Sequence, residues 1–146
     1  MRVEGTYEFK AGREAVWAAL MSPDVLSSCI PGCRSFEVAG VDTYAVELSV
    51  GVAAIRGTYS GVVTITDKEH LDSYKMVVEV KGSGGSVRGE GVLHFADSGG
   101  GTAVNVVGDG QVTGIAARVG QRLMGSASKM LMNQLFQCVR TKIDDE

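Results

Sequence analysis

The chain has 146 residues, 45% of them apolar and 21% charged, with a formal net charge of −3 at pH 7. That length and balance fit a single globular domain over residues 1–146, able to bury roughly two-thirds of its unfolded surface, and exclude a disordered chain. They also give nucleic acid no electrostatic reason to bind, and no window approaches the ~18 uninterrupted apolar residues that a membrane span needs.

From the N-terminus, Val3, Gly5, Tyr7 and Phe9 alternate with Glu4, Thr6, Glu8 and Lys10, the period-2 pattern of a strand with one buried face. Residues 12–20 place Val16, Trp17 and Leu20 at helical spacing. Ser22-Pro23-Asp24 stops that helix and starts a second short one reaching Cys29, and Pro31-Gly32 turns the chain. Trp17 is expected where this helical pair meets a sheet. Six strands are predicted next, at 34–39, 43–52, 54–67, 73–82, 86–97 and 102–113, separated by turn signals such as Gly40-Val41-Asp42, Asp67-Lys68-Glu69 and Asp97-Ser98-Gly99. Short links between consecutive strands predict an antiparallel meander. Gly57, Gly61, Gly89, Gly91 and Gly108 fall inside strands, where glycine permits bends and bulges and removes side-chain volume from the inward face.

The longest helical pattern covers residues 114–143. At 100° per residue, Ala116, Val119, Leu123, Ala127, Met130, Leu131 and Cys138 share one broad face, and Arg118, Arg122, Lys129 and Arg140 cluster opposite. Residues 1–113 carry nine basic against fourteen acidic side chains, whereas residues 114–143 carry five basic and none acidic. Met132 and Phe136 project close to the cations. Arg118, Arg122, Lys129, Met132, Phe136 and Arg140 therefore read as a face for docking on a membrane surface or a partner, the plainer alternative being a solvated cationic face with Phe136 packed under a bend. Gly120 and Gly125 are expected to serve close packing or a bend. The order of elements predicts an α+β helix-grip fold: a curved seven-stranded antiparallel sheet around a long C-terminal helix, with two short helices after strand 1.

No constellation supports catalysis. Cys29 and Cys33 flank a Pro-Gly turn but lack the further ligands of a zinc site, so no metal is expected. Three cysteines are too few for a disulfide scaffold, and Met1-Arg2-Val3-Glu4 lacks the apolar stretch of a signal peptide, so the expectation is a cytoplasmic protein with free thiols. Gly84 to Glu90 imitates a phosphate loop, yet Glu90 stands where the lysine belongs and a strand follows instead of a helix. His70 lies in a turn and His94 on an outward strand phase, neither placed as a buried base.

The inward strand positions include Tyr7, Phe9, Phe36, Val46, Leu48, Ile55, Tyr59, Val63, Met76, Val78, Leu93, Phe95, Val104 and Val106, closed by Val119, Leu123 and Met130, with no charged residue or histidine. Such an interior suits an apolar small molecule, with tyrosine hydroxyls for a ligand oxygen and methionines for an irregular shape. The expected ligand-contacting set is Tyr7, Phe9, Tyr59, Met76, Phe95, Leu123 and Met130. A filled core is the alternative. A small cyclase or dehydratase would need polar groups in the interior that these positions do not supply.

Several segments carry a family likeness: Val16-Trp17-Ala18-Ala19-Leu20, Cys29-Ile30-Pro31-Gly32-Cys33, Val50-Gly51 through Gly57-Thr58-Tyr59, Gly82-Ser83-Gly84 with Gly89-Glu90-Gly91, and Gly114 before the last helix. On these the chain resembles, over essentially its whole length, the carbon monoxide dehydrogenase G-subunit family of the START and Bet v 1-like superfamily. The resemblance implies a non-catalytic accessory protein of a carbon monoxide dehydrogenase-type molybdenum hydroxylase, linked to attaching that enzyme at the inner face of the cytoplasmic membrane or to its electron delivery. It also implies a cavity for a lipid or an isoprenoid quinone of the menaquinone kind. The alternative within the same resemblance is an adaptor or maturation factor with a filled core. Many members have a C-terminal extension, whereas this chain stops at Glu146, an expectation against stable anchoring.

Overall fold

The computed structural model describes residues 2–51, 56–114, 117–118 and 120–144. Strand β1 (Arg2–Phe9) is followed by helices α1 (Arg13–Leu20) and α2 (Pro23–Cys29). Then come β2 (Cys33–Gly40), β3 (Thr43–Val50), β4 (Gly57–Glu69), β5 (Ser73–Gly82), β6 (Gly85–Ser98), β7 (Gly101–Thr113) and α3 (Gln121–Asp144). The seven strands form one curved antiparallel sheet in the order β1-β7-β6-β5-β4-β3-β2. Consecutive strands from β2 to β7 are neighbours, as short connections require, and β1 returns to pair with β7 through Val3 opposite Gly108 and Tyr7 opposite Val104. The expected helix-grip architecture is therefore the observed one.

Alternation decides which face is buried. Tyr7 and Phe9 on β1, Tyr44 and Val46 on β3, Tyr59, Val63 and Ile65 on β4, Leu93 and Phe95 on β6, and Val104 and Val106 on β7 all fall in the core. Ser22 caps α2, its hydroxyl accepting from the Val25 amide at 3.4 Å, and Pro23 occupies the first turn. Trp17 of α1 is buried, edge-on to Tyr74 at 5.3 Å and tilted against Phe95 at 5.0 Å, so α1 is anchored on β5 and β6. Arg13 ties the same corner together, donating to the Leu71 carbonyl at 3.2 Å and pairing with Asp72 and Asp97 at 3.0 Å each.

Three expectations change. The turn predicted at Asp67-Lys68-Glu69 lies inside β4, whose pairing with β5 slips between Thr66 and Glu69 around Asp67 at positive φ. Helix α3 begins at Gln121, because Gly120 holds φ +94° just outside it and accepts from the Met124 amide. Gly120 thus marks a start rather than a bend. Cys29 and Cys138, expected as free thiols, are joined in a disulfide that ties the end of α2 to α3; Cys33 keeps its thiol. The fold brings together two cysteines 109 residues apart, which spacing does not reveal, and the cysteine count carries no argument for a reducing compartment. Ile55, Ala116 and Val119 lie outside the described residues.

Candidate functional site: an apolar cavity under the last helix

Between α3 and the concave face of β5 to β7 lies a cavity of about 350 Å³, within the about 300–1,000 Å³ range of small-molecule sites. Its floor follows strand alternation: Met76 and Val78 on β5, Val87, Gly89, Gly91 and Leu93 on β6, Val106, Gly108 and Gly110 on β7, and Val3 on β1. Leu131, Met132, Leu135 and Phe136 of α3 form the roof. Leu26 of α2 closes one end with Ile30 and Pro31 of the turn after it.

The interior glycines divide into two kinds. A methyl on Gly61 would come within 1.9 Å of the Glu79 carbonyl oxygen, so glycine there lets two strands approach. A methyl on Gly89, Gly91 or Gly108 would meet nothing nearer than 3.6, 3.9 and 3.4 Å respectively. None of these three has positive φ. Neither backbone conformation nor crowding explains them, and what their missing side chains leave is space above the sheet.

Four polar residues border this space. Glu90 pairs with Lys75 at 3.1 Å across β5 and β6, and the Asp109 carboxylate accepts from the Gly110 amide at 2.8 Å. Ser128 is the third. Tyr74, the fourth, is 1% exposed between Trp17 and Phe95, and its hydroxyl has no hydrogen-bond partner among the described residues. Burial pushes that phenol well above its ordinary pKa, so it stays neutral and a donor. Tyr59 likewise buries a hydroxyl without a partner among the described residues, but it does not line this cavity. A lining made mostly of apolar side chains and bare backbone fits an apolar molecule.

Of the ligand-contacting residues expected from the sequence, Met76 lines the cavity. Phe9 and Phe95 are buried in the core beside it. Tyr7 is buried too, stacked on Phe136 at 4.1 Å, and its hydroxyl is occupied, donating to Asn133 Oδ1 at 2.6 Å. Leu123 and Met130 are 58% and 42% exposed, so the interior role expected for them is corrected. Met132 and Phe136, expected on an outward docking face, form part of the roof instead.

Both corrections have one cause. Helix α3 carries two overlapping apolar stripes that share Ala127 and Leu131. The buried one runs through Met124, Ala127, Phe136 and Val139, rotated about 100° from the stripe of Leu123 and Met130. This rotation sets the cations against β1. Lys129 Nζ donates to the Glu4 carbonyl, Arg140 Nε donates to the Glu8 carbonyl at 2.8 Å, and the Asp144 carboxylate accepts from the Lys10 and Ala11 amides at 3.0 and 3.3 Å. Strand β1 is an edge of the sheet, and Lys129 and Arg140 cover carbonyls that it would otherwise offer to another strand. Arg118 and Arg122 remain exposed.

Tyr74, absent from the expected inward set, is the part of the site that differs most from expectation, whereas Gly89, Gly91 and Gly108 take volume from the inward face as expected. Tyr74 stands two residues before Met76 on the same phase, a signal that the alternation already contained. His94 and His70 are exposed, His70 meeting the edge of Trp17 at 5.8 Å. Among the described residues no group of three or more His, Cys, Asp or Glu converges, and no helix is long and apolar enough to cross a membrane.

The sequence profile of the carbon monoxide dehydrogenase G-subunit (CoxG) family matches residues 5–144. No curated protein matches the chain. Among solved structures, a conserved protein from Geobacillus kaustophilus is 34% identical with a TM-score of 0.95, over 99% of this chain and 96% of its own. A START superfamily protein from Mycobacterium smegmatis superposes with a TM-score of 0.77 at 10% identity, over 99% and 97% of the two chains. A protein from Thermus thermophilus gives 0.67 at 18% identity, over 98% and 99%. The last two share the fold.

Proposed function

The chain belongs to the carbon monoxide dehydrogenase G-subunit family, and from that premise we propose that it is a non-catalytic accessory protein which carries an isoprenoid quinone or a similar lipid for a carbon monoxide dehydrogenase-type hydroxylase. The observation that carries this reading is the apolar cavity between α3 and the sheet, floored by β5 to β7. Its size admits a ring or a short length of chain, and its walls repel water. The two carboxylates at its border are already engaged, Glu90 by Lys75 and Asp109 by the Gly110 amide. Tyr74 adds an aromatic side chain to the cavity wall. The hydroxylase is inferred from the family alone. Exchange with a membrane proceeds through brief contact along the exposed side of α3 and the segment before it, where Arg118, Arg122, Leu123 and Met130 are all exposed.

The test is native mass spectrometry of the purified protein followed by solvent extraction. A stoichiometric quinone or lipid, or its uptake when added to stripped protein, is the expected result. Protein that holds neither and takes up neither leaves the adaptor with a filled core as the better account.

A further inference from the structure

The cavity floor is not uniformly apolar; its centre is bare. In the pairing of β6 with β7, Gly91 stands opposite Gly108 and Gly89 opposite Gly110, so four adjacent positions on one face present backbone only. Alternate residues on a strand are about 7 Å apart and neighbouring strands about 4.8 Å, so the patch has roughly the footprint of a six-membered ring or two fused ones. Larger side chains wall it. Met76 and Val78 stand opposite Gly91 and Gly89 on β5, Val3 stands opposite Gly108 on β1, and Val87, Leu93 and Val106 continue the same faces along β6 and β7. The result is a shallow tray of peptide planes.

We propose that this glycine tray seats a planar ring, so that the site selects apolar molecules by a flat head rather than by a flexible chain. The inference rests on the carrier function proposed above. A flexible chain gains contact as readily from a ridged surface of valine and leucine as from a bare one. A rigid ring lies in van der Waals contact only where the surface is flat. A methyl on Gly89, Gly91 or Gly108 would fit with no contact nearer than 3.4 Å, so the bareness is not required for packing the sheet itself. The roof residues Leu131 and Met132 are unbranched at Cβ and adjust to the upper face of the ring.

The test compares two probes on the full chain: a methylnaphthoquinone with a short isoprenoid tail, and a straight-chain alcohol of equal carbon number. The parent protein is expected to prefer the ring probe by about tenfold or more, the equivalent of 1.4 kcal/mol. Gly91→Ala and, independently, Gly108→Ala are each expected to reduce that preference about tenfold, with near-parental unfolding midpoints. Equal binding of the two probes by the parent, or a preference untouched by both substitutions, overturns the tray while leaving the carrier function intact. Failure of the parent to bind either probe overturns both.

Discussion

Tyr74 packs its ring against Trp17 and Phe95 and buries its hydroxyl where no described group meets it. An unsatisfied buried donor costs about 1–3 kcal/mol, so the fold carries a penalty at this position. Tyr74→Phe is accordingly expected to stabilise the protein by about 1 kcal/mol in denaturant unfolding. If the substitution destabilises the protein, the hydroxyl has a hydrogen-bond partner and the penalty does not exist. Strand alternation made almost all of this interior legible, because the inward strand positions from Tyr7 to Val106 read directly as apolar. It did not reveal which interior residues border open space. That depends on how far α3 stands from the sheet above Gly89, Gly91 and Gly108, and period-2 patterning carries no information about this distance.

Helix α3 was legible as a helix but not in its rotation, since Leu123 and Met130 offer a stripe as apolar as that of Phe136 and Val139. Long-range partners settle the choice: Glu4 and Glu8 carbonyls for Lys129 and Arg140, and the Tyr7 ring for Phe136. The disulfide from α2 to Cys138 belongs to the same clamp, joining two elements that both line the cavity. Closing a 109-residue separation restricts the unfolded chain, and such bonds contribute typically about 2–4 kcal/mol. Oxidised protein is therefore expected to lose that much stability on treatment with dithiothreitol, while Cys138→Ser is expected to start at the lower value and not respond. If the parent is equally stable in both conditions, the bond does not form in solution and Cys29 and Cys138 act only as packed thiols.

At the scale of the whole molecule, the bare strands and their cavity lie under a helix that is also the most basic segment of the chain. The net charge of −3 and the run of five basic residues in 114–143 pointed to a docking face, but the fold divides those cations between two tasks. Lys129 and Arg140 cover the β1 edge, whereas Arg118, Arg122 and Lys142 are exposed, as are Leu123 and Met130. Each basic side chain near an anionic leaflet contributes about 1 kcal/mol, and partial insertion of two apolar side chains adds a similar amount. The sum gives weak, reversible contact, as a carrier that must leave again requires. The protein is expected to sediment with anionic but not neutral vesicles at low salt, and to be released as salt shortens the reach of the charges. Arg118→Glu combined with Arg122→Glu is expected to abolish this with the far-ultraviolet spectrum unchanged, because the β1 clamp is made by Lys129, Arg140 and Asp144. If the doubly reversed protein binds vesicles as well as the parent, or the parent binds none, the exposed end of α3 does not meet a membrane, and transfer directly to a partner protein becomes the route by which the cavity is filled.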